Sequence, residues 1–169
     1  PHFLFNTLES IRMHSILKKE YVTAGMIEKL AVLERQYVDW GADFASVEEE
    51  TELVKAYLGI QKYRFGDRIA YEIDIEDKCK NMIIPKLSVV TFVENACVHG
   101  IESKTVTGWI FVRIYLKDGF MYIEVEDTGK GMDEEAMEQL LWKMRNASIR
   151  LLQGKERAGI INACLRLKM

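Results

Sequence analysis

The chain has 169 residues, 49% of them hydrophobic and 29% charged, with a formal net charge of −3. That balance belongs to a globular protein with room for one ordinary domain and an appendage. The slight acidity speaks against a nucleic-acid binder, which carries a basic excess. No apolar run reaches the roughly 18 residues that a membrane span needs, and no signal peptide heads the chain.

Three cysteines, Cys79, Cys97 and Cys164, are scattered without metal-type spacing. This predicts reduced thiols and a cytosolic setting. The sequence opens on "PHFLFN" rather than on Met, and reads as a fragment of a longer protein.

Residues 3–17 place Leu4, Leu8 and Ile11 on one stripe. Residues 24–38 repeat the idea with Met26, Leu30, Leu33 and Tyr37, a short coiled-coil-like seam. Joined near 18–23, the two helices make a hairpin that is either a pair of core helices or a dimerisation element. Ser46 with Glu49 forms a capping box. It opens a helix lined by Leu53, Tyr57 and Ile60 that ends at Gly66-Asp67. "RIAYEIDIE" alternates at Ile69, Tyr71, Ile73 and Ile75, which predicts a half-buried strand.

Pro85 breaks the chain before a helix over 89–100. There Val89, Phe92, Val93 and Ala96 fall at helical spacing, yet Glu94, Asn95 and His99 interrupt the apolar run. Two alternating runs within 109–126 flank Asp118-Gly119, a hairpin signal. Asp133 is placed to N-cap a helix over 134–145, and a last helical pattern begins near Gly159. The order predicts an α+β protein: a helical hairpin, then an α/β sandwich with helices on one sheet face.

Two segments carry chemistry. Asp127 has the strand parity of Ile123 and Val125, so it is expected to face the core. A buried carboxylate needs a donor, and Gly129 and Gly131 let backbone pass close to a ligand. Adenine offers such an N–H donor; the alternative is a strand end with an ordinary turn. Asn95 supplies a carbonyl oxygen suited to Mg²⁺, and Glu94 can orient water or accept a proton. Alone, each is equally readable as part of a solvated helix face.

"PHFLFN", "VENACVHG" and "EDTGKGM", in this order and spacing, resemble the LytS-like sensor histidine kinases. So do "YLGIQKYRFGDRIAYEID" and "GIINACLRLKM", and the resemblance covers nearly the whole chain. It implies a helical dimerisation and phosphoacceptor segment over 1–45. It further implies a GHKL-type ATP-binding two-layer sandwich with a mixed sheet over 46–169, incomplete at its C-terminus.

The resemblance implies ATP and Mg²⁺ as cofactors. His2 looks like the phosphoacceptor, Asn95 like the Mg²⁺ ligand, and Asp127 like the adenine-reading aspartate. Gly129 and Gly131 match the first glycine box, and Gly159 is what remains of the second. Glu94 and His99 would then face nucleotide rather than core, with Glu94 catalytic and His99 either touching phosphate or capping its own helix. The implied activity is autophosphorylation on histidine, then transfer to a response regulator, of the LytTR type. The implied partners are a second copy through the N-terminal helices and no nucleic acid. Contact with a membrane would come only through upstream segments, which makes this the cytoplasmic part of a bacterial membrane sensor.

The sequence departs from the family at four places. Val90 stands where a glutamine is usual, Thr91 where proline is common, and Arg157 where the second glycine box has its first glycine. The chain also stops at Met169, where the family continues through further strands. Two other readings follow. One is an ATPase of the same fold with Glu94 activating water, against which "PHFLFN" argues. The other is a GHKL-fold module that has lost nucleotide binding and acts as an interaction domain.

Overall fold

The computed structural model describes residues 2–38, 43–101, 106–146 and 158–167. In chain order the elements are α1 (His2–Leu17), α2 (Tyr21–Val38), β1 (Phe44–Ser46), α3 (Val47–Phe65), β2 (Ile69–Ile75), β3 (Ile83–Pro85) and α4 (Ser88–Asn95). A π-helical turn over Ala96–Ile101 extends α4; then come β4 (Gly108–Lys117), β5 (Phe120–Asp127), α5 (Glu134–Arg145) and α6 (Ala158–Leu167).

Local chemistry sets most of these boundaries. At the start of α3 the Ser46 hydroxyl accepts from the Glu49 amide at 3.2 Å, and the Glu49 carboxylate accepts from the Ser46 amide at 2.7 Å. This is the expected capping box. The helix ends where Gly66 turns to φ +60°. Asp118 and Gly119, at φ 51° and 81°, form the two-residue turn between β4 and β5. Two successive positive φ values match the right-handed twist of the strands they join.

The main sheet has the order β2-β4-β5, parallel between β2 and β4 and antiparallel between β4 and β5. It is a mixed sheet, as expected. β1 and β3 form a separate antiparallel ribbon that joins Phe44 to Pro85 and Ser46 to Ile83. The sequence analysis did not anticipate it, because three-residue strands are too short to show alternation.

One face of the sheet is apolar. Ile69 of β2 and Ile110, Val112 and Ile114 of β4 are at most 1% exposed. Met121, Ile123 and Val125 of β5 pack against the same cluster. Leu53, Val54 and Leu58 of α3, with Val89, Val90 and Val93 of α4, complete this core. The result is the α+β architecture read from the sequence, with helices layered on one sheet face. Val90, the departure from the family glutamine, is fully buried here.

α1 packs on α2, α2 on α3, and α3 on α4. Leu33 joins the main core, and Leu8 and Ala24 are buried in the hairpin. Other apolar residues of the hairpin are open to solvent, Phe3 at 83% and Leu17 at 77% exposure.

The start of α4 is held from α3. Glu50 is 1% exposed, and its carboxylate accepts the backbone N–H groups of Leu87 and Val89, the latter at 3.0 Å. Leu87 itself adopts a left-handed φ of +62°. A carboxylate at a helix N-terminus satisfies amides that have no intrahelical acceptor and complements the helix dipole.

Candidate functional site

Asn95 closes α4, and the chain continues without a break into the π-turn. Val89, Val93, Ala96 and also Cys97 are buried. These positions are i, i+4, i+7 and i+8, one face of a helix, so the buried stripe of α4 runs on through the turn. Glu94 and Asn95 are half-buried, while Val98 and His99 are exposed. The polar residues of this run therefore leave the core. The π-turn packs against β4 and β5.

Asp127 ends β5 opposite Ile110. It has the parity of Ile123 and Val125, but it is exposed, which corrects the expectation of a buried, core-facing carboxylate. β5 is the edge strand, with Ile123 and Val125 only half-buried, and Asp127 at its end is open although Ile110 beside it is fully buried. One Asp127 carboxylate oxygen accepts the Gly129 N–H at 2.7 Å, a local turn that leaves its second oxygen outside this bond. Thr128 pins the loop: its N–H donates to the Trp109 carbonyl at 3.0 Å, and its hydroxyl accepts the Trp109 N–H at 2.9 Å. Gly131 has φ +71°, a conformation that side-chain-bearing residues rarely adopt. Asp133 caps α5 by accepting the Ala136 N–H at 2.8 Å, as expected.

His2 is the first residue of α1 and is exposed, with Asn6 exposed one turn later. His14 is exposed further along the same helix. Glu94 is engaged by a residue the sequence analysis had placed only in a seam: the Tyr37 hydroxyl of α2 donates a hydrogen bond to its carboxylate. Burial first, and then this carboxylate, push the Tyr37 phenol well above its ordinary range. Spacing along a helix cannot announce such a contact between residues in distant segments.

Gly159 is the second residue of α6. A Cβ there would stand 3.3 Å from Cγ2 of Thr91 on α4, so the glycine allows the two helices to approach closely. As a first-turn residue, its N–H has no intrahelical acceptor. Arg157 lies outside the described residues.

The donor set can be weighed against a magnesium nucleotide. Asn95 and Glu94 offer hard oxygen atoms. Among the described residues no group of three or more His, Cys, Asp or Glu side chains gathers as a metal site of its own. The exposed Asp127 carboxylate can accept from an exocyclic amino group. The residues present fit Mg²⁺ with an adenine nucleotide.

Residues 1–69 match the family model described as histidine kinase. The chain is 34% identical over 151 residues to the sensor histidine kinase YesM of Bacillus subtilis, covering 86% of this chain and 26% of that protein. It is 30% identical over 142 residues to the sensor protein LytS of Bacillus cereus, covering 83% and 24%. The chain belongs to the LytS-like sensor histidine kinases. It spans about a quarter of the length of these curated relatives. Among solved structures, a histidine kinase domain from the Erythrobacter litoralis blue-light activated histidine kinase matches with a TM-score of 0.49 at 14% identity, covering 98% of this chain and 84% of that one.

Proposed function

We propose that this segment of a LytS-like kinase carries the phosphoacceptor helix, within 1–45, and the ATP-binding core, within 46–169, of a two-component sensor. The observation that carries the reading is the packing of the turn after Asn95 against β5, the strand that ends in Asp127. This packing supports a shared site for two motifs far apart in sequence, one suited to a metal and one to adenine.

When bound, Mg-ATP supplies the phosphoryl group to be transferred. In this reading the His2 imidazole would be the nucleophile and would take the terminal phosphoryl group, with ADP as the leaving group. Asn6, at i+4, is within reach to fix which ring nitrogen is free. The Asn95 carbonyl oxygen would hold the Mg²⁺. Asp127 accepts from the adenine amino group through the oxygen not used by Gly129, and Gly131 keeps the adjoining backbone uncovered. His99, exposed at the turn, would donate to phosphate, as would the N–H of Gly159 in the first turn of α6. Glu94, held by Tyr37, orients or takes a proton.

The phosphohistidine then serves an aspartate on a response regulator of the LytTR type. Exposed Phe3, Met13, Leu17, Tyr21 and Val22 support pairing of the hairpin with a second copy. The reading places the segment on the cytoplasmic side of a membrane reached by upstream segments. No helix among the described residues is long and apolar enough to cross one.

The deciding experiment is a calorimetric titration with ADP, with and without Mg²⁺, on the native chain and on Asn95→Ala. Mg²⁺-dependent binding, weakened in Asn95→Ala more with the metal than without it, is the expected outcome. No binding under either condition points instead to an interaction module that kept the fold and lost the nucleotide, a reading that the burial of Val90 favours.

A further inference from the structure

The face of the main sheet that turns away from the helices is neither bare nor simply polar. Its cross-strand rows are set by the register: Ala70 beside Trp109, then Glu72–Phe111–Glu126, then Asp74–Arg113–Glu124, then Tyr115 beside Tyr122. Trp109 and Phe111 stack with ring centroids 5.6 Å apart and planes 7° apart, and Tyr115 and Tyr122 stack at 5.4 Å and 9°. Trp109 remains 42% exposed and Tyr122 40%. The two stacked pairs lie on either side of the charged Asp74–Arg113–Glu124 row, so exposed aromatic rings and carboxylates alternate across this face.

The charges on this face are mostly of one sign. Arg113 lies over the Phe111 ring at 5.3 Å and pairs with Glu126 at 3.0 Å and Glu124 at 3.6 Å. Among the described residues no cation is paired with Glu72 or Asp74 on the adjoining strand. An acidic aromatic surface repels nucleic acid and anionic lipid. It suits a planar cation that can lie on a ring while donating to carboxylates, which is what a guanidinium does and an ammonium does less well. Arg113 on Phe111 with Glu126 is that arrangement made within the chain. Beside Trp109 the small side chain of Ala70 leaves the indole uncovered, next to the unpaired Glu72.

We propose that this outer sheet face is a docking surface for an arginine-bearing basic segment of a partner protein. An arginine of that segment stacks on Trp109 and pairs with Glu72, and neighbouring basic residues meet Asp74. The surface is separate from the proposed nucleotide site, and its occupation needs no nucleotide.

The test is calorimetric titration of the full chain with a synthetic peptide of alternating arginine and glycine, at low and at physiological salt. A lysine peptide of equal length is the control. Trp109→Ala and the double variant Glu72→Gln, Asp74→Asn are compared with the native chain, folding being checked by circular dichroism. The double variant changes only exposed or half-exposed polar groups, so it keeps the test decisive if Trp109→Ala fails to fold. Expected are binding of the arginine peptide in preference to the lysine peptide, weakening with salt, and a loss of about tenfold in affinity in each variant. No binding by the native chain, or binding by both variants as tight as that of the native chain, overturns the proposal. So does self-association in sedimentation that Trp109→Ala abolishes, because a second copy would then be the occupant.

Discussion

The Tyr37 hydroxyl donates a hydrogen bond to the Glu94 carboxylate, tying the last turn of α2 to the last turn of α4. Helical hairpin and sandwich are thus joined at a residue of the candidate site. Replacing Tyr37 with Phe removes the bond and should cost about 1 kcal/mol of stability. The pH dependence has a definite sign. The folded phenol is raised above its ordinary value of about 10, so folding retains a proton that the unfolded chain releases. That contribution is complete below the ordinary value and is lost as pH rises toward the folded one. Tyr115, raised by its bond to Glu124, titrates in both proteins, so the difference between native and Tyr37→Phe isolates Tyr37. Urea unfolding from neutral to alkaline pH measures it; identical slopes in the two proteins would refute the coupling.

Glu50 is a second joint. Its carboxylate holds two amides at the start of α4 from within the core. Glu50→Ala leaves both amides buried without that acceptor and should cost about 3 kcal/mol. Glu50→Gln retains one acceptor oxygen and loses the charge beside the helix N-terminus, for a smaller loss of about 1–2 kcal/mol. Denaturant midpoints give the ranking, and an alanine variant as stable as the native chain would contradict it.

Gly159 and Thr91 form the contact between α6 and α4. Gly159→Val should overpack it and destabilise by about 1–3 kcal/mol. Thr91→Ser removes the Cγ2 that faces the glycine while keeping the hydroxyl that donates to the Leu87 carbonyl. Combined with Gly159→Val, it should recover part of the loss. Strictly additive unfolding energies would show that the two residues do not meet.

Asp127→Asn separates fold from recognition. An asparagine oxygen can still accept the Gly129 N–H, so stability should change little. An amide presents donors to the adenine amino group where a carboxylate presents only acceptors. Adenine-nucleotide affinity should fall by about 1.5–3 kcal/mol, the worth of a charge-assisted hydrogen bond. Equal calorimetric affinity in mutant and native chain would remove Asp127 from the site.

Periodicity and punctuation made much of this fold legible. The alternation from Ile69 to Ile75, Asp118-Gly119, Ser46 with Glu49, and Asp133 each imply their element by short-range rules, and each element is present. Long-range pairings were not legible. The β1–β3 ribbon, Glu50 on α4 and Tyr37 on Glu94 join residues whose own neighbourhoods look unremarkable; Glu50, for instance, closes a run of three glutamates. Asp127 shows a different limit. Alternation gives the side of the sheet a residue faces, but not that β5 is the edge strand, whose inward residues are only partly covered. In the 89–100 segment the mixed pattern signalled polar residues outside the core, while the change from α-helix to π-turn after Asn95 left no trace in the spacing.

The parallel pairing of β2 with β4 sets a kinetic order. β4 and β5 are joined by two residues, and a hairpin of that kind closes in about 1–10 μs. β2 pairs with β4 across a connection that holds β3 and α4, so its closure costs more entropy and is expected later. Substitutions at Asp118-Gly119 therefore act mainly on the rate of folding. Substitutions along Ile69–Ile75 act mainly on the rate of unfolding. The turn governs how fast the native state is reached, and β2 governs how long it lasts.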